Sequence, residues 1–147
     1  MGIARVTWDP LNPENPFACI DVIVMNSKAY IDRQGDLGFE FRKPIKMKAM
    51  LDTGASFTVI SKTWARNCKL FQTLPDTERK VLGTTIKCGE HAGSISFPGT
   101  DLRGYDPVRI VSADLLKEQF SCLIGLDILR HWKLTFDGKT KAVTIED

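Results

Sequence analysis

The residues best suited to do chemistry are Asp52, Thr53 and Gly54, which directly follow the apolar run 49–51. A carboxylate at the end of a buried strand costs free energy unless it is hydrogen-bonded or paired. The Thr53 hydroxyl can bond opposing backbone, and Gly54, which lacks a Cβ, lets its amide approach the carboxylate closely. A plain strand-end turn has the same composition, since Asp, Thr and Gly all favour turns. A carboxylate held in this way is suited to general acid–base chemistry.

Other catalytic arrangements find little support. A Ser/His or Cys/His mechanism would need one of the two histidines, His91 or His131. We expect His91, within Gly-Glu-His-Ala-Gly, to be exposed in a turn, and His131 to pack or to lie on the surface. No serine stands in a Gly-x-Ser-x-Gly elbow. The four cysteines, which form no CxxC pair, are Cys19, Cys68, Cys88 and Cys122. This spacing predicts free thiols, with a single disulfide as the alternative.

Short β-type segments separated by turns surround the Asp52 turn. Residues 17–25, 45–51, 57–60, 108–111 and 121–124 are predicted strands, and 134–145 is a predicted hairpin around Asp137-Gly138. Residues 32–38 have the composition of a turn, and Ser61 is a candidate N-cap for a short helix through residue 70. Three of the first sixteen residues are proline, which predicts an irregular arm over about 1–16. This pattern favours an all-β barrel or sandwich.

The composition is that of an ordinary globular protein. The chain has 147 residues, of which 43% are hydrophobic and 26% charged, and a net charge of +2. One domain over 1–147 is expected at this length. The mild charge argues against a nucleic-acid partner, and no apolar stretch is long enough for a membrane span. The N-terminus lacks the apolar core of a signal peptide, which predicts a cytoplasmic or nuclear location.

A second element, Leu123-Ile124-Gly125, gives the Asp52 turn a counterpart. Together, 51–55 and 123–129 resemble the two signatures of the retropepsins, the retroviral-type aspartic proteases. The chain is most similar to the protease domain of the DNA-damage-inducible ubiquitin-shuttle proteins and related retroelement and bacterial proteases. The similarity covers about residues 40–147. It implies an all-β acid protease barrel with one or two short helices that assembles as a C2 homodimer.

The resemblance assigns roles within these two segments. Asp52 is similar to the catalytic aspartate, Thr53 to a threonine that bridges the two catalytic loops of the dimer, and Gly54 to a glycine whose amide supports the carboxylate. Gly125 resembles the glycine that lets the second strand pass close to the catalytic loop. The chain has a single Asp-Thr-Gly triplet. Aspartic proteolysis needs two carboxylates around one water, so two copies of Asp52 must meet at a twofold axis.

The family also implies substrate-binding residues. Ala55 is expected to line the cleft. A flap, a hairpin that closes over substrate, should lie between the two signatures, and its tip is expected at Leu82, Gly83, Thr84 and Thr85, with 89–93 as the rival placement. Classical retroviral enzymes carry Asp where Ser56 stands and Arg where Leu126 stands, so we do not expect their ion pair near the dimer interface.

The leading hypothesis is an aspartic endopeptidase that hydrolyses extended protein or peptide segments. It implies no metal and no cofactor, and as partners only a second copy of the chain and protein or peptide substrates. A catalytically inactive retropepsin-fold module for dimerisation or scaffolding is the alternative. A β-sandwich adaptor with an accidental Asp-Thr-Gly is a third reading. The effect of Asp52→Asn on cleavage distinguishes the first reading from the other two.

Overall fold

The computed structural model describes residues 1–14, 16–38, 44–81, 83–114 and 120–147. Within these ranges the chain forms ten strands and three short helices, where the resemblance implies one or two helices. The strands are β1 (Ile3–Thr7), β2 (Cys19–Asn26), β3 (Lys46–Leu51), β4 (Val59–Ser61), β5 (Gln72–Val81), β6 (Thr84–Ser96), β7 (Tyr105–Ala113), β8 (Cys122–Ile124), β9 (Lys133–Asp137) and β10 (Ala142–Glu146). The helices are α1 (Lys28–Asp36), α2 (Lys62–Asn67) and α3 (Leu126–Leu129). None of these helices is long and apolar enough to cross a bilayer.

Seven strands form the main sheet, in the order β2-β3-β8-β4-β7-β6-β5. An additional antiparallel pairing of β2 with β6 closes six of them into a barrel, with β5 outside the ring. The short strands β8 and β4 lie at the centre, where β3 runs parallel to β8 and β4 runs parallel to β7. Closure of the sheet removes most free edges and agrees with the predicted barrel. The parallel pairing of β3 with β8 brings the segments that follow these two strands together.

The remaining strands form a second, antiparallel sheet in the order β1-β10-β9. The predicted terminal hairpin is therefore confirmed, but the prediction of an irregular arm is wrong for Ile3–Thr7. The prolines of the arm all come after this strand, so nothing prevents Ile3–Thr7 from donating to β10. Beyond it, Asp9 and Asn12 form local turns through their side-chain oxygens, which accept from Leu11 N and Glu14 N.

One apolar core fills the barrel. Its fully buried side chains are mostly β-branched, as expected where inward-facing positions of several strands meet. The largest of them are Ile60, Ile95, Ile110, Ile124, Ile128 and Ile145. A small second cluster of Cys88, Val111 and Ala113, with Val59 and Ile86 packed on it, joins β4, β6 and β7. This second cluster connects the strand after the Asp52 turn to the β5–β6 hairpin.

The predicted turn over 32–38 is wrong for residues 32–36, which belong to α1. The Ser27 hydroxyl caps this helix by accepting from Tyr30 N, and the segment contains good helix formers. The predicted N-cap of α2 is confirmed, since Ser61 Oγ accepts from Trp64 N at 3.2 Å. The alternation over residues 39–42 also predicts a strand, and Ser112 is a candidate cap for a helical turn through Gln119. Residues 39–42 and 115–119 lie outside the described residues.

Candidate functional site

The Asp52 turn begins where β3 ends, beside β8. Asp52 N donates to Ile124 O at 3.0 Å, which fixes the turn against the end of β8. Gly54 N donates to Asp52 Oδ1 at 2.9 Å, and Ala55 N donates to Asp52 O at 3.2 Å. Asp52 is half-buried. Its carboxylate is therefore oriented by backbone through Oδ1, while no hydrogen bond within the described residues engages Oδ2.

Gly125 lets the second segment pass against this turn. A Cβ built on Gly125 would lie 2.5 Å from the carbonyl carbon and oxygen of Phe57 and 2.8 Å from Ala55 O. These are backbone atoms, so the position has no room for a side chain. The close approach allows Leu126 N to donate to Ala55 O at 2.8 Å. The hydrogen bonds thus bring Asp52, Gly54, Ala55 and Gly125 together.

Two further residues, which the sequence reasoning did not assign to the site, hold the two segments together. Thr58 is fully buried, and its backbone N and its Oγ1 donate to the two carboxylate oxygens of Asp127 at 3.0 and 2.9 Å. Thr58 Oγ1 also accepts from Gly125 N at 3.3 Å. The sequence did offer one indication of this role, since Asp127 is a charged residue inside the apolar run 123–129. A partly buried carboxylate needs hydrogen-bond donors.

Thr53 is exposed at the outside of the turn. Within the described residues its hydroxyl makes no hydrogen bond, and Gly54 is exposed beside it. The exposed face of the turn therefore presents a hydroxyl and a carboxylate oxygen. The bridging role of Thr53 stays a prediction.

The β5–β6 hairpin has its turn at the favoured tip position. Strand β5 ends at Val81, β6 begins at Thr84, and Gly83 takes the left-handed conformation, with φ of 78°, that a glycine adopts without strain. Gly83, Thr84 and Thr85 are exposed, and Leu82 lies outside the described residues. Their roles in substrate binding stay predictions, because no hydrogen bond within the described chain joins them to the Asp52 turn.

The rival tip at 89–93 is wrong, because these residues lie within β6. Gly89 and Gly93 serve close packing instead. A Cβ would meet Ser112 Oγ at 2.7 Å from Gly89 and Met25 O at 2.7 Å from Gly93. The expectation of an exposed His91 is wrong for the same reason, since it is 5% exposed on that strand.

The structure pairs His91 with a serine. His91 Nε2 lies 2.9 Å from Ser112 Oγ, and both side chains are buried on neighbouring strands. Burial lowers the pKa of His91, an effect that the nearby carbonyls of Leu70 and Phe71 oppose. The two side chains are among the residues that line a groove of about 730 Å³ beside α2. No carboxylate accepts a hydrogen bond from the other ring nitrogen within the described residues, so the pair lacks the third group that orients a catalytic histidine.

The cysteines are unsuited to nucleophilic catalysis. All four are free thiols, as predicted. Cys122 is fully buried in β8, and burial, together with the charge of Asp127, raises its pKa to about 12. Burial also raises the pKa of Cys19 and of Cys68. Because the thiolate is the reactive form, the environments of Cys19, Cys68 and Cys122 favour structural roles.

The fold is similar to that of solved proteases. A retropepsin-like aspartic protease from Rickettsia conorii matches with a TM-score of 0.61 at 15% identity, over 98% of this chain and 89% of that chain. The EIAV protease, solved with an inhibitor, matches with a TM-score of 0.53 at 18% identity, over 86% of this chain and 93% of that chain.

Sequence comparison gives one curated relative. The DNA-damage inducible 1 protein of Arabidopsis thaliana is 28% identical over 139 residues, which is 94% of this chain. The chain spans about 30% of the length of that protein. No protein-family model matches the chain.

Proposed function

Because the chain has the fold of the retropepsin-like aspartic proteases, we propose that it is an aspartic endopeptidase whose active site contains Asp52 from each of two subunits. The observation that carries this proposal is the orientation of the Asp52 carboxylate. Gly54 N holds Oδ1 at 2.9 Å, on a turn that Gly125 and the Thr58–Asp127 hydrogen bonds fix in place. A rigidly supported carboxylate with one outward oxygen suits proton transfer.

The proposed chemistry requires a second carboxyl group. Two carboxyl groups about 3 Å apart do not readily ionise together, so one proton is shared and the pair titrates as a unit. Asp127 cannot supply the second group, because its oxygens accept from Thr58 and from Ile128 N. The Asp52 of a second copy fits the requirement, since a twofold axis beside the exposed Thr53 brings two identical turns together.

In the proposed reaction, the ionised Asp52 removes a proton from water as the water oxygen attacks the scissile carbonyl carbon. The protonated Asp52 donates its proton to the carbonyl oxygen, which gives a neutral tetrahedral diol. Collapse of the diol returns one hydroxyl proton to a carboxylate, while the leaving nitrogen takes a proton from the other aspartate and the C–N bond breaks. The pair has then returned to its starting protonation state, each aspartate having acted once as a base and once as an acid, and it needs no further co-reactant.

The three-stranded sheet supports self-association. Strand β9 is one of the two edge strands in the order β1-β10-β9 among the described residues, and an unpaired edge is a site for strand addition. Phe136 on this strand is 56% exposed and makes an edge contact with the ring of Trp8 at 6.2 Å. Leu126 is 45% exposed beside the Asp52 turn. A second copy that covers these apolar groups removes them from water.

The β5–β6 hairpin is the proposed flap. Residues Thr84 to Lys87 of β6 pair with β5 alone, whereas β7 joins β6 only from Cys88 onward. The outer part of the hairpin therefore stands beyond the barrel and is held by fewer contacts. Such a segment can close over an extended peptide, exclude water and offer main-chain hydrogen bonds.

Cleavage of a degenerate peptide library between pH 4 and 7 tests this proposal. The wild type is compared with Asp52→Asn and with Asp101→Asn, which removes an exposed carboxylate outside the site. Thermal melting and sedimentation establish that all three fold and associate alike. We expect cleavage by the wild type and by Asp101→Asn, and a loss of at least about 10³-fold in Asp52→Asn. A well-formed wild-type dimer that cleaves nothing would favour the scaffolding alternative.

A further inference from the structure

A charged cluster lies at the base of the proposed flap, and we call Arg79, Glu90 and Arg109 the arginine cluster. Both arginines donate from Nη2 to a single carboxylate oxygen, Glu90 Oε1. The guanidinium of Arg109 lies 4.4 Å from the centre of the Phe57 ring, and that of Arg79 lies 6.0 Å from it. Strands β5, β6 and β7 each contribute one member, so the cluster ties the hairpin stem to the segment that follows the Asp52 turn.

The strand pairing accounts for this position. Val111 N on β7 donates to Thr58 O at 3.0 Å, so Arg109, two residues earlier on β7, lies beside Phe57. Glu90 is the cross-strand partner of Val111 on β6. The pairing of β4, β7 and β6 in the barrel therefore places the arginine cluster beside Phe57.

The cluster is within reach of a peptide bound at Asp52. Phe57 follows Asp52 by five residues on the same segment, and its carbonyl lies against Gly125. Five residues span at most about 18 Å even when fully extended. An extended peptide whose scissile bond lies at Asp52, and which runs toward Phe57, covers this distance within about five of its own residues.

The electrostatics leave the cluster positively charged. The hydrogen bond from Arg109 is the main cause of the lowered pKa of Glu90, so this carboxylate stays ionised. Two guanidiniums and one carboxylate carry a net charge of +1. Each guanidinium has five N–H donors, and the pairs with Glu90 engage only Nη2 of each. The Arg109 side chain is 45% exposed and that of Arg79 33%, so donors remain accessible.

We propose that the arginine cluster and Phe57 form a subsite that selects an acidic side chain, Asp or Glu, in an extended peptide. The carboxylate of this peptide side chain accepts a hydrogen bond from Arg109 and is attracted electrostatically by the more distant Arg79. The aliphatic part of the same side chain packs on the Phe57 ring. This inference rests on the proposed function for the placement of the peptide. It concerns binding, however, and a binding measurement tests it separately from cleavage.

The test uses the 147-residue chain carrying Asp52→Asn, immobilised and exposed to an equimolar degenerate peptide library. Peptides that are retained are identified by mass spectrometry, and enrichment is compared for Asp over Asn and Glu over Gln at each position. Three further variants are made in the same background: Arg109→Gln, Arg79→Gln and the control Arg33→Gln. Arg33 lies exposed on α1, so its loss changes the net charge equally without touching the cluster.

We expect acidic residues to be enriched about three- to tenfold at one position, as a partly exposed charge-assisted pair allows. Arg109→Gln should remove this enrichment, Arg79→Gln should reduce it, and Arg33→Gln should leave it unchanged. If Arg109→Gln fails to fold, the acidic enrichment measured with Arg79→Gln decides whether the arginine cluster selects acidic side chains. Absence of acidic enrichment, failure to retain any peptide, or enrichment that survives both substitutions would overturn the inference.

The two proposals fail in different ways. Cleavage that depends on Asp52 but shows no acidic preference overturns the subsite and leaves the protease. Retention of acidic peptides that depends on Arg109, without cleavage by the wild type, supports the subsite and overturns the protease.

Discussion

Gly125→Ala is expected to destabilise the protein strongly, because the new methyl group has no space. The methyl carbon would lie within 2.5 Å of the Phe57 carbonyl and 2.8 Å of Ala55 O, and neither backbone atom can rotate away as a side chain would. Overpacking of this kind costs about 1–3 kcal/mol. Separation of the two segments also weakens the hydrogen bond from Leu126 N to Ala55 O, which adds about 1 kcal/mol.

The free energy of unfolding should therefore fall by about 2–4 kcal/mol. For a chain of this length each kcal/mol corresponds to about 3 °C in Tm, so the melting temperature should fall by about 6–12 °C. Urea denaturation and thermal melting monitored by circular dichroism measure both quantities. Gly35→Ala is the matched control, since a Cβ there meets nothing within 4 Å and the helix gains propensity. A Gly125→Ala protein within about 0.5 kcal/mol of the wild type would refute the close approach that the site requires.

Two further predictions concern buried polar groups. Asp127→Ala leaves the backbone N–H and the hydroxyl of the fully buried Thr58 without their acceptor. The free energy of unfolding, measured in urea, should therefore fall by about 2–4 kcal/mol. An unchanged value would contradict the supporting role of Asp127. The pKa of His91 is lowered by burial, so below pH 6.5 the unfolded chain takes up a proton that the folded chain resists. The free energy of unfolding should therefore decline by up to about 1.4 kcal/mol per pH unit below pH 6.5. His91→Gln should flatten this decline in thermal melts recorded between pH 7 and 5. An equal dependence of stability on pH in both proteins would show that His91 does not take up a proton on unfolding.

Local signals made the Asp52 turn and the hairpins predictable. An apolar run followed by Asp-Thr-Gly fixes the end of β3, and Asp137-Gly138 fixes the terminal hairpin. Ser61 is a short-range N-cap that depends only on the next three residues. The barrel followed from many short strands, and the resemblance supplied the pairing of the Asp52 turn with Gly125.

Features that depend on contacts distant in sequence could not be predicted in this way. The glycines on either side of His91 indicated a turn. In the structure they lie within β6, where close packing of β2 and β7 leaves no room for a side chain. Strand β1 forms only because β10, at the far end of the chain, accepts it. The pairing of Thr58 with Asp127 spans 69 residues, and neither residue alone signals the other.

The proposed active site needs Asp52 from two chains, and a mixing experiment measures this directly. Wild type and Asp52→Asn are unfolded together, refolded at a series of mixing ratios, and assayed for peptide cleavage at constant total protein. If the site is shared, activity follows the square of the wild-type fraction, and an equal mixture keeps about one quarter of the wild-type rate. If each chain acts alone, activity falls linearly and the equal mixture keeps about one half of the wild-type rate, which would contradict an active site shared by two chains.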